Sequence, residues 1–260
     1  MNKKAAFRKE KGLFIAEGLN CVKEVPKDRI RRLIYSAHFE AEHPDFMASL
    51  APLEDRGVPM IRIPDSEFER ISDTKTPQGV LAEVQCFQYD PAALLKTENG
   101  LFVFLEEVRD PGNLGTIMRS AEAAGVTAVL IGRDSADIYN PKTVRATMGA
   151  IFRLPFVPDV EIREMTGILK ECGGQVYAAA LQGSVPYDAP DYRGASAFVI
   201  GNEAAGLKEE TITACDAAVR IPMLGKTESL NAGVAAAVLL FEAARQRRQG
   251  AGTQPGPGET

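Results

Sequence analysis

Apolar positions recur along this chain with two different rhythms, and the change of rhythm divides it. Up to residue 95 the pattern is short and mixed. The segment "GLFIAEGLNCVKEV" carries Ile15, Leu19, Val22 and Val25 at three- or four-residue spacing, which predicts a helix. "IRRLIYS", "VPMIRI" and "VLAEVQCF" read as strands, with "SDTKTPQG" a turn cluster before the last of them. Beyond "YDPAALLKTENG" strand-like and helix-like segments alternate: "LFVFLEEV", "TAVLIG", "QVYAAAL", "SAFVIG" and "AAVRIPM" as strands, with helices expected over 115–124 and near 141–149, 207–213 and 230–247. Such alternation predicts an α/β fold, a parallel sheet covered by helices on both faces. The expected division is a smaller α/β domain over 1–95, the larger domain over 96–248, and a disordered tail over 249–260, where "GAGTQPGPGET" is rich in Gly and Pro.

Composition narrows the picture. With 260 residues, 45% hydrophobic and 25% charged, the chain can bury a sizeable core. Its four cysteines form no CxxC pair and its two histidines, His38 and His43, lie near none of them, which argues against a zinc site or a disulfide framework and suits a reducing cytoplasm. No segment approaches the roughly 20 apolar residues of a membrane span, and the N-terminus lacks a signal peptide's apolar stretch. A net charge of −5 speaks against nucleic acid, yet residues 1–32 hold ten basic side chains against four acidic ones. Lys9, Lys11, Arg31 and Arg32 in that run are candidate RNA contacts; a solvated face is the plainer reading of the same charges.

Parallel sheets bind ligands beyond the carboxyl ends of their strands, and three loops there are rich in glycine and polar residues. They are "DPGNLGTIMRS" after "LFVFLEEV", "GNEAAGL" after "SAFVI", and "IPMLGKTESLNAG" after "AAVR". Each alone also reads as structure: "GNEAAG" as a turn and helix cap, Ser229 as the capping oxygen of the following helix. A dinucleotide-binding oxidoreductase is disfavoured, since no GxGxxG follows the first strand and no GxxxxGK[ST] loop occurs.

Together the three loops resemble the motifs of the SpoU/TrmH family of RNA ribose 2′-O-methyltransferases. Asn113, Gly115, Arg119 and Gly125 match the first motif, Gly201, Glu203 and Gly206 the second, and Ile221, Pro222, Met223, Ser229, Leu230 and Asn231 the third. The likeness spans roughly residues 100–248, and "RKEKGLFIAEG" and "SDTKTPQGV" are similar to the substrate-binding domain that many members carry ahead of the catalytic one. The resemblance implies a C-terminal trefoil knot, a bent S-adenosylmethionine as cofactor, a homodimer, and a substrate-binding domain at the N-terminus. It places the cofactor against Leu181, Gly201, Asn202, Gly206, Ile221, Met223 and Leu230, although Ile221 and Leu230 also read as plain core.

By the same resemblance Asn113, Arg119, Glu203, Ser229 and Asn231 are the catalytic set. The family's arginine is held to take the proton of the ribose hydroxyl. Because a guanidinium keeps its own proton so firmly, clamping phosphate and ribose is the cheaper role for Arg119. Asn113 is then expected to orient the arginine or the substrate, Glu203 to pair with a guanidinium, and Ser229 and Asn231 to hydrogen-bond near the reacting hydroxyl. As a mere surface residue, Arg119 would instead pair with Glu122 three positions on. Asn140, Lys142 and Arg145 are candidate RNA contacts that also read as helix-capping groups. No metal ligand set is recognisable and none is expected. The leading expectation is methylation of a ribose 2′-hydroxyl in structured RNA, ribosomal before transfer RNA, with a non-catalytic RNA-binding or ribosome-assembly protein as the rival.

Overall fold

Gly18, with φ of 93°, breaks the first apolar run into a strand and a helix. The structure, a computed structural model, describes Arg8 and residues 10–250. Strand β1 (Leu13–Glu17) ends at Gly18 and a helix, Leu19–Glu24, follows it. The single helix expected here is therefore corrected. Phe14 and Ala16 point inward with strand alternation, and glycine's tolerance of left-handed backbone lets the chain turn before the helix starts.

Strands β2 (Ile30–Ser36), β3 (Met60–Ile63) and β4 (Val80–Gln85) form where their alternation predicts. The sheet order is β1-β4-β2-β3, with β4 antiparallel to both neighbours and β2 parallel to β3. The described residues up to Gln88 make one compact unit, and Asp137–Phe152 belong to it. Its interior shows why. The Phe14 ring lies 4.8 Å from that of Tyr139 and 6.3 Å from that of Phe152. The Tyr139 hydroxyl accepts from the Phe87 N–H at 2.8 Å and donates to the Phe87 carbonyl at 3.2 Å.

Tyr89–Ala136 and the described residues from Arg153 onward form the second unit, so the division falls near 88 rather than 95 and residues 137–152 group with the first part. Seven strands build its sheet: β5 (Leu101–Leu105), β6 (Ala128–Gly132), β7 (Phe156–Val160), β8 (Gln175–Ala179), β9 (Val185–Pro186), β10 (Ser196–Ile200) and β11 (Ala217–Arg220). The order is β7-β6-β5-β10-β8-β11-β9, and every pairing is parallel. Central β5, β6 and β10 are buried along their whole length, as a parallel sheet covered on both faces requires. Helix Ile162–Glu171 packs on β8 and β6 through buried Ile162, Met165 and Leu169, while the last helix, Ala232–Gly250, packs on β10 and on helix Pro111–Ala123. Gln249 and Gly250, expected in the tail, are the last residues of that helix.

Candidate active site

The four neighbouring strands β5-β10-β8-β11 all run parallel, so their carboxyl ends open onto one edge of the sheet. That order brings together loops that are far apart in the chain. In the first, the Asp110 side chain accepts from the Asn113 N–H at 2.8 Å and Pro111 takes the first helical position, where a missing N–H costs nothing. The helix starts there, at Pro111–Ala123, four residues before the expected 115.

The second loop closes on itself. Asn202 and Gly206 exchange backbone hydrogen bonds of 3.0 Å each, and the Asn202 side-chain oxygen accepts from the N–H groups of Ala204 and Ala205 at 2.9 and 3.0 Å. Its amide nitrogen donates to the Glu107 carbonyl at 2.9 Å. Position 201 must be glycine: a Cβ there would lie 2.5 Å from the Gly206 carbonyl carbon and oxygen. The side-chain oxygen and nitrogen of Asn202 thus shape the loop.

Glu203 at the tip joins the loops. Its carboxylate accepts from the Asn113 side-chain amide at 2.9 Å and from the N–H groups of Asp110 and Arg109 at 3.2 and 3.4 Å. The guanidinium expected as its partner is replaced by these donors. Burial opposes its charge, yet the hydrogen bonds from Asn113 and from the backbone at Glu203, Asp110 and Arg109 outweigh it and hold the carboxyl below its ordinary pKa. Asn113 in turn accepts from the Asn231 side-chain amide at 2.8 Å. The oxygen of Asn231 accepts from the N–H groups of Gly233 and Val234 at 2.9 and 3.3 Å, which makes Asn231, not Ser229, the cap of the last helix. One member of each motif is thus tied into a single chain, Glu203–Asn113–Asn231.

Between these loops lies a cleft of about 410 Å³, ample for a nucleoside-sized ligand. Leu181, Gly201, Asn202, Gly206, Ile221, Met223 and Leu230 line it, as do Glu203 and Ser229. The sequence reading did not anticipate Ala179, Ile200, Leu207, Arg220 and Leu239, which line it too. They read there as strand ends or core, and only the adjacency of the strands gives them a common space. Leu181 and Leu230 are 68% and 37% exposed at this cleft, apolar side chains suited to a ligand's apolar face.

Arg119 does not line the cleft. It is exposed two turns along the helix that begins beside Asn113, and among the described residues it makes no hydrogen bond or ion pair. Glu122, its partner if it were a mere surface residue, pairs instead with Arg153 at 2.9 Å. Ser229 is likewise exposed and without a hydrogen bond among the described residues. Burial pushes the thiols of Cys21 and Cys86 up to about 11 and that of Cys215 to about 12, which disfavours these three as nucleophiles.

The expected RNA contacts are dispersed over the first unit, and most are engaged there. Lys9 lies outside the described residues. Lys11 pairs with Glu10 at 3.0 Å, Arg32 with Glu83 at 3.5 Å and Arg145 with Asp73 at 3.3 Å. Arg31 donates to the Asp28 carbonyl at 2.8 Å and to the Gln85 side chain. Arg8, counted in the basic run, is buried against Asp137. Asn140 caps helix Pro141–Ala146 by accepting from the Lys142 N–H at 2.9 Å, and the Lys142 side chain is exposed.

Comparison with known proteins adds independent findings. Residues 100–241 match the SpoU rRNA Methylase family, and residues 1–82 match an MRM3-like substrate binding domain. The chain is 34% identical over 187 residues to the 23S rRNA (guanosine(2553)-2′-O)-methyltransferase RlmP of Bacillus subtilis, covering 72% of this chain and 73% of that one. It is 37% identical over 198 residues to the 23S rRNA (guanosine-2′-O-)-methyltransferase RlmB of Xylella fastidiosa, covering 74% and 80%. Among solved structures, an AdoMet-bound rRNA methyltransferase from Sinorhizobium meliloti superposes with a TM-score of 0.84 at 32% identity, covering 94% of this chain and 91% of that one.

Proposed function

The chain belongs to the SpoU rRNA Methylase family, and from that premise we propose that it transfers a methyl group from S-adenosylmethionine to a ribose 2′-hydroxyl of ribosomal RNA. The observation that carries the reading is how the five expected catalytic residues are divided. Asn113, Glu203 and Asn231 hold one another, while Arg119 and Ser229 are left without partners among the described residues.

The cleft fits the cofactor: Leu181, Ile221, Met223 and Leu230 offer apolar walls for an adenosine, and the close approach at Gly201 leaves backbone groups as the only contacts its position can make. S-adenosylmethionine, when bound, supplies a methyl group already activated by the sulfonium. What remains for the chain is to align the ribose oxygen and help its proton leave. Asn113 and Asn231 are positioning residues, since both ends of the Asn113 amide and both ends of the Asn231 amide are engaged. Glu203 anchors that arrangement as an anion. Arg119 clamps the phosphate beside the target ribose and steadies the developing alkoxide as the hydroxyl proton passes to water, and Ser229 at the cleft contacts the cofactor or the ribose.

Further features of this reading are a homodimer formed through the second unit, with exposed Val234 and Phe241 of the last helix in its interface, and a trefoil knot in the C-terminal part of the fold. The first unit binds the RNA substrate, and the protein acts in the cytoplasm. Incubation of the purified chain with methyl-labelled S-adenosylmethionine and protein-free ribosomal or transfer RNA tests the substrate class. Label is expected in ribosomal RNA. Label in transfer RNA alone would move the proposal to that substrate, and label in neither would favour a non-catalytic RNA-binding role.

A further inference from the structure

The first unit holds Met148 and the turn "SDTKTPQG", neither of which lines the cleft. Met148 has φ of 49° and is 62% exposed. Left-handed backbone is unfavourable for a residue with a Cβ, and a large apolar side chain in water is unfavourable as well. The chain nevertheless fixes it there. Ahead of it the Thr147 N–H donates to the Thr143 carbonyl at 3.0 Å, and the Thr147 hydroxyl donates to the Val144 carbonyl at 2.7 Å. Behind it Gly149 continues at φ 86°, and the Ala150 N–H returns to the Thr147 carbonyl at 3.0 Å.

The second turn is gripped from inside. The buried carboxylate of Glu17 accepts from the hydroxyl of Ser72, from the Asp73 N–H at 3.2 Å and from the Thr74 hydroxyl at 3.0 Å. Burying a carboxylate is costly, and three donors drawn from one turn make it the fastener of that turn's shape. Asp73 then faces outward to Arg145, three residues before Met148, at 3.3 Å. The ion pair ties the two turns together. Two residues further on, Lys75 is exposed and makes no hydrogen bond or ion pair among the described residues.

We infer that the turns around Met148 and Lys75 form one docking surface for a single-stranded segment of the RNA substrate, with an unpaired base lying on the Met148 side chain and a phosphate on Lys75. The inference rests on the reading of the protein as an RNA methyltransferase. An unpaired nucleotide offers what this surface lacks, a flat apolar face beside a negative charge. A protein partner would call for a broader apolar patch than one exposed methionine.

The test uses the full-length chain and a fluorescent single-stranded fragment of ribosomal RNA. Met148→Gly relieves the left-handed backbone, so its melting temperature should equal or exceed that of the unaltered protein while RNA affinity falls about tenfold. Lys75→Ala should weaken binding and lower the slope of log K against log salt by about 0.7, the value for one single-strand phosphate contact. Affinity for S-adenosylmethionine should hold in both. RNA affinity within twofold of the unaltered protein in both variants would overturn the inference, and so would a changed oligomeric state in Met148→Gly, which would assign the surface to a second copy. Label transfer by the unaltered chain to ribosomal RNA keeps the two readings separable. Transfer with Met148-independent binding rejects the surface alone, whereas Met148-dependent binding without transfer supports the surface and rejects the proposed activity.

Discussion

Asn113 donates to Glu203 and accepts from Asn231, so its side chain has no free end for substrate. Among the described residues the Arg119 guanidinium makes no hydrogen bond or ion pair. The contrast predicts that Arg119→Ala leaves S-adenosylmethionine affinity within about twofold, because no cleft wall is touched, while methyl transfer falls about 100- to 1,000-fold, the scale of one lost transition-state donor. Calorimetric titration beside a labelled-transfer assay measures both, and parallel loss of the two would place the arginine at the cofactor instead. Glu203 gives a prediction in pH. Its folded pKa lies below the usual 4.5, so its contribution is fully present above the unfolded value and is lost only as pH falls through the lower folded one. Cofactor affinity should therefore not change through Glu203 between pH 7 and about 5. Calorimetry across that range in unaltered protein and Glu203→Gln tests it; a fall in the unaltered protein that Glu203→Gln abolishes would contradict it. The residue types of this site were legible in the sequence because the motifs name them. Their partners were not, since Glu203 finds Asn113 rather than a guanidinium only through the order of the strands.

At the scale of elements, the second loop and the last helix carry the most exact geometry. A methyl group at Gly201 would press on the Gly206 carbonyl, which is backbone and cannot swing aside. Gly201→Ala should open the loop and weaken S-adenosylmethionine binding by more than about tenfold, with far less effect on the fold than on the ligand, as paired melting and titration curves would show. Asn231→Ala removes a helix cap worth about 1 kcal/mol, a fall of roughly 2–4 °C in melting temperature, and also releases Asn113. Ser229→Ala should leave the melting temperature unchanged, because Ser229 makes no hydrogen bond among the described residues. Period and turn chemistry gave most strands of both units, yet they failed where two signals overlapped. Leu13–Glu24 has helical spacing only because a strand and a helix abut at Gly18. Strand β7, which the sequence reading did not anticipate, has Pro155 before it and Pro158 within it, and proline breaks the pattern of a strand.

For the whole molecule, the chain leaves its second unit after Ala136 and rejoins it at Arg153, and no local pattern marks that excursion. It changes what truncation should do. A fragment lacking residues 1–88 keeps Ile138, Val144 and Ile151, each at most 1% exposed in the full chain, but loses Phe14 and Phe87 from the same unit. Such a fragment should bind an apolar dye and aggregate, whereas one that also replaces 137–152 by a short Gly/Ser linker should stay soluble and bind S-adenosylmethionine. Equal solubility of the two would show that 137–152 does not depend on the first unit. Alkaline digestion of labelled ribosomal RNA reads directly which bond is made, because a ribose methylated at its 2′-oxygen cannot cleave its 3′ phosphodiester. Ribosomal RNA methylated by the full chain should give the label in an alkali-resistant dinucleotide, and Arg119→Ala should give almost none. Label released as a methylated mononucleotide would place the methyl group on a base and contradict the account.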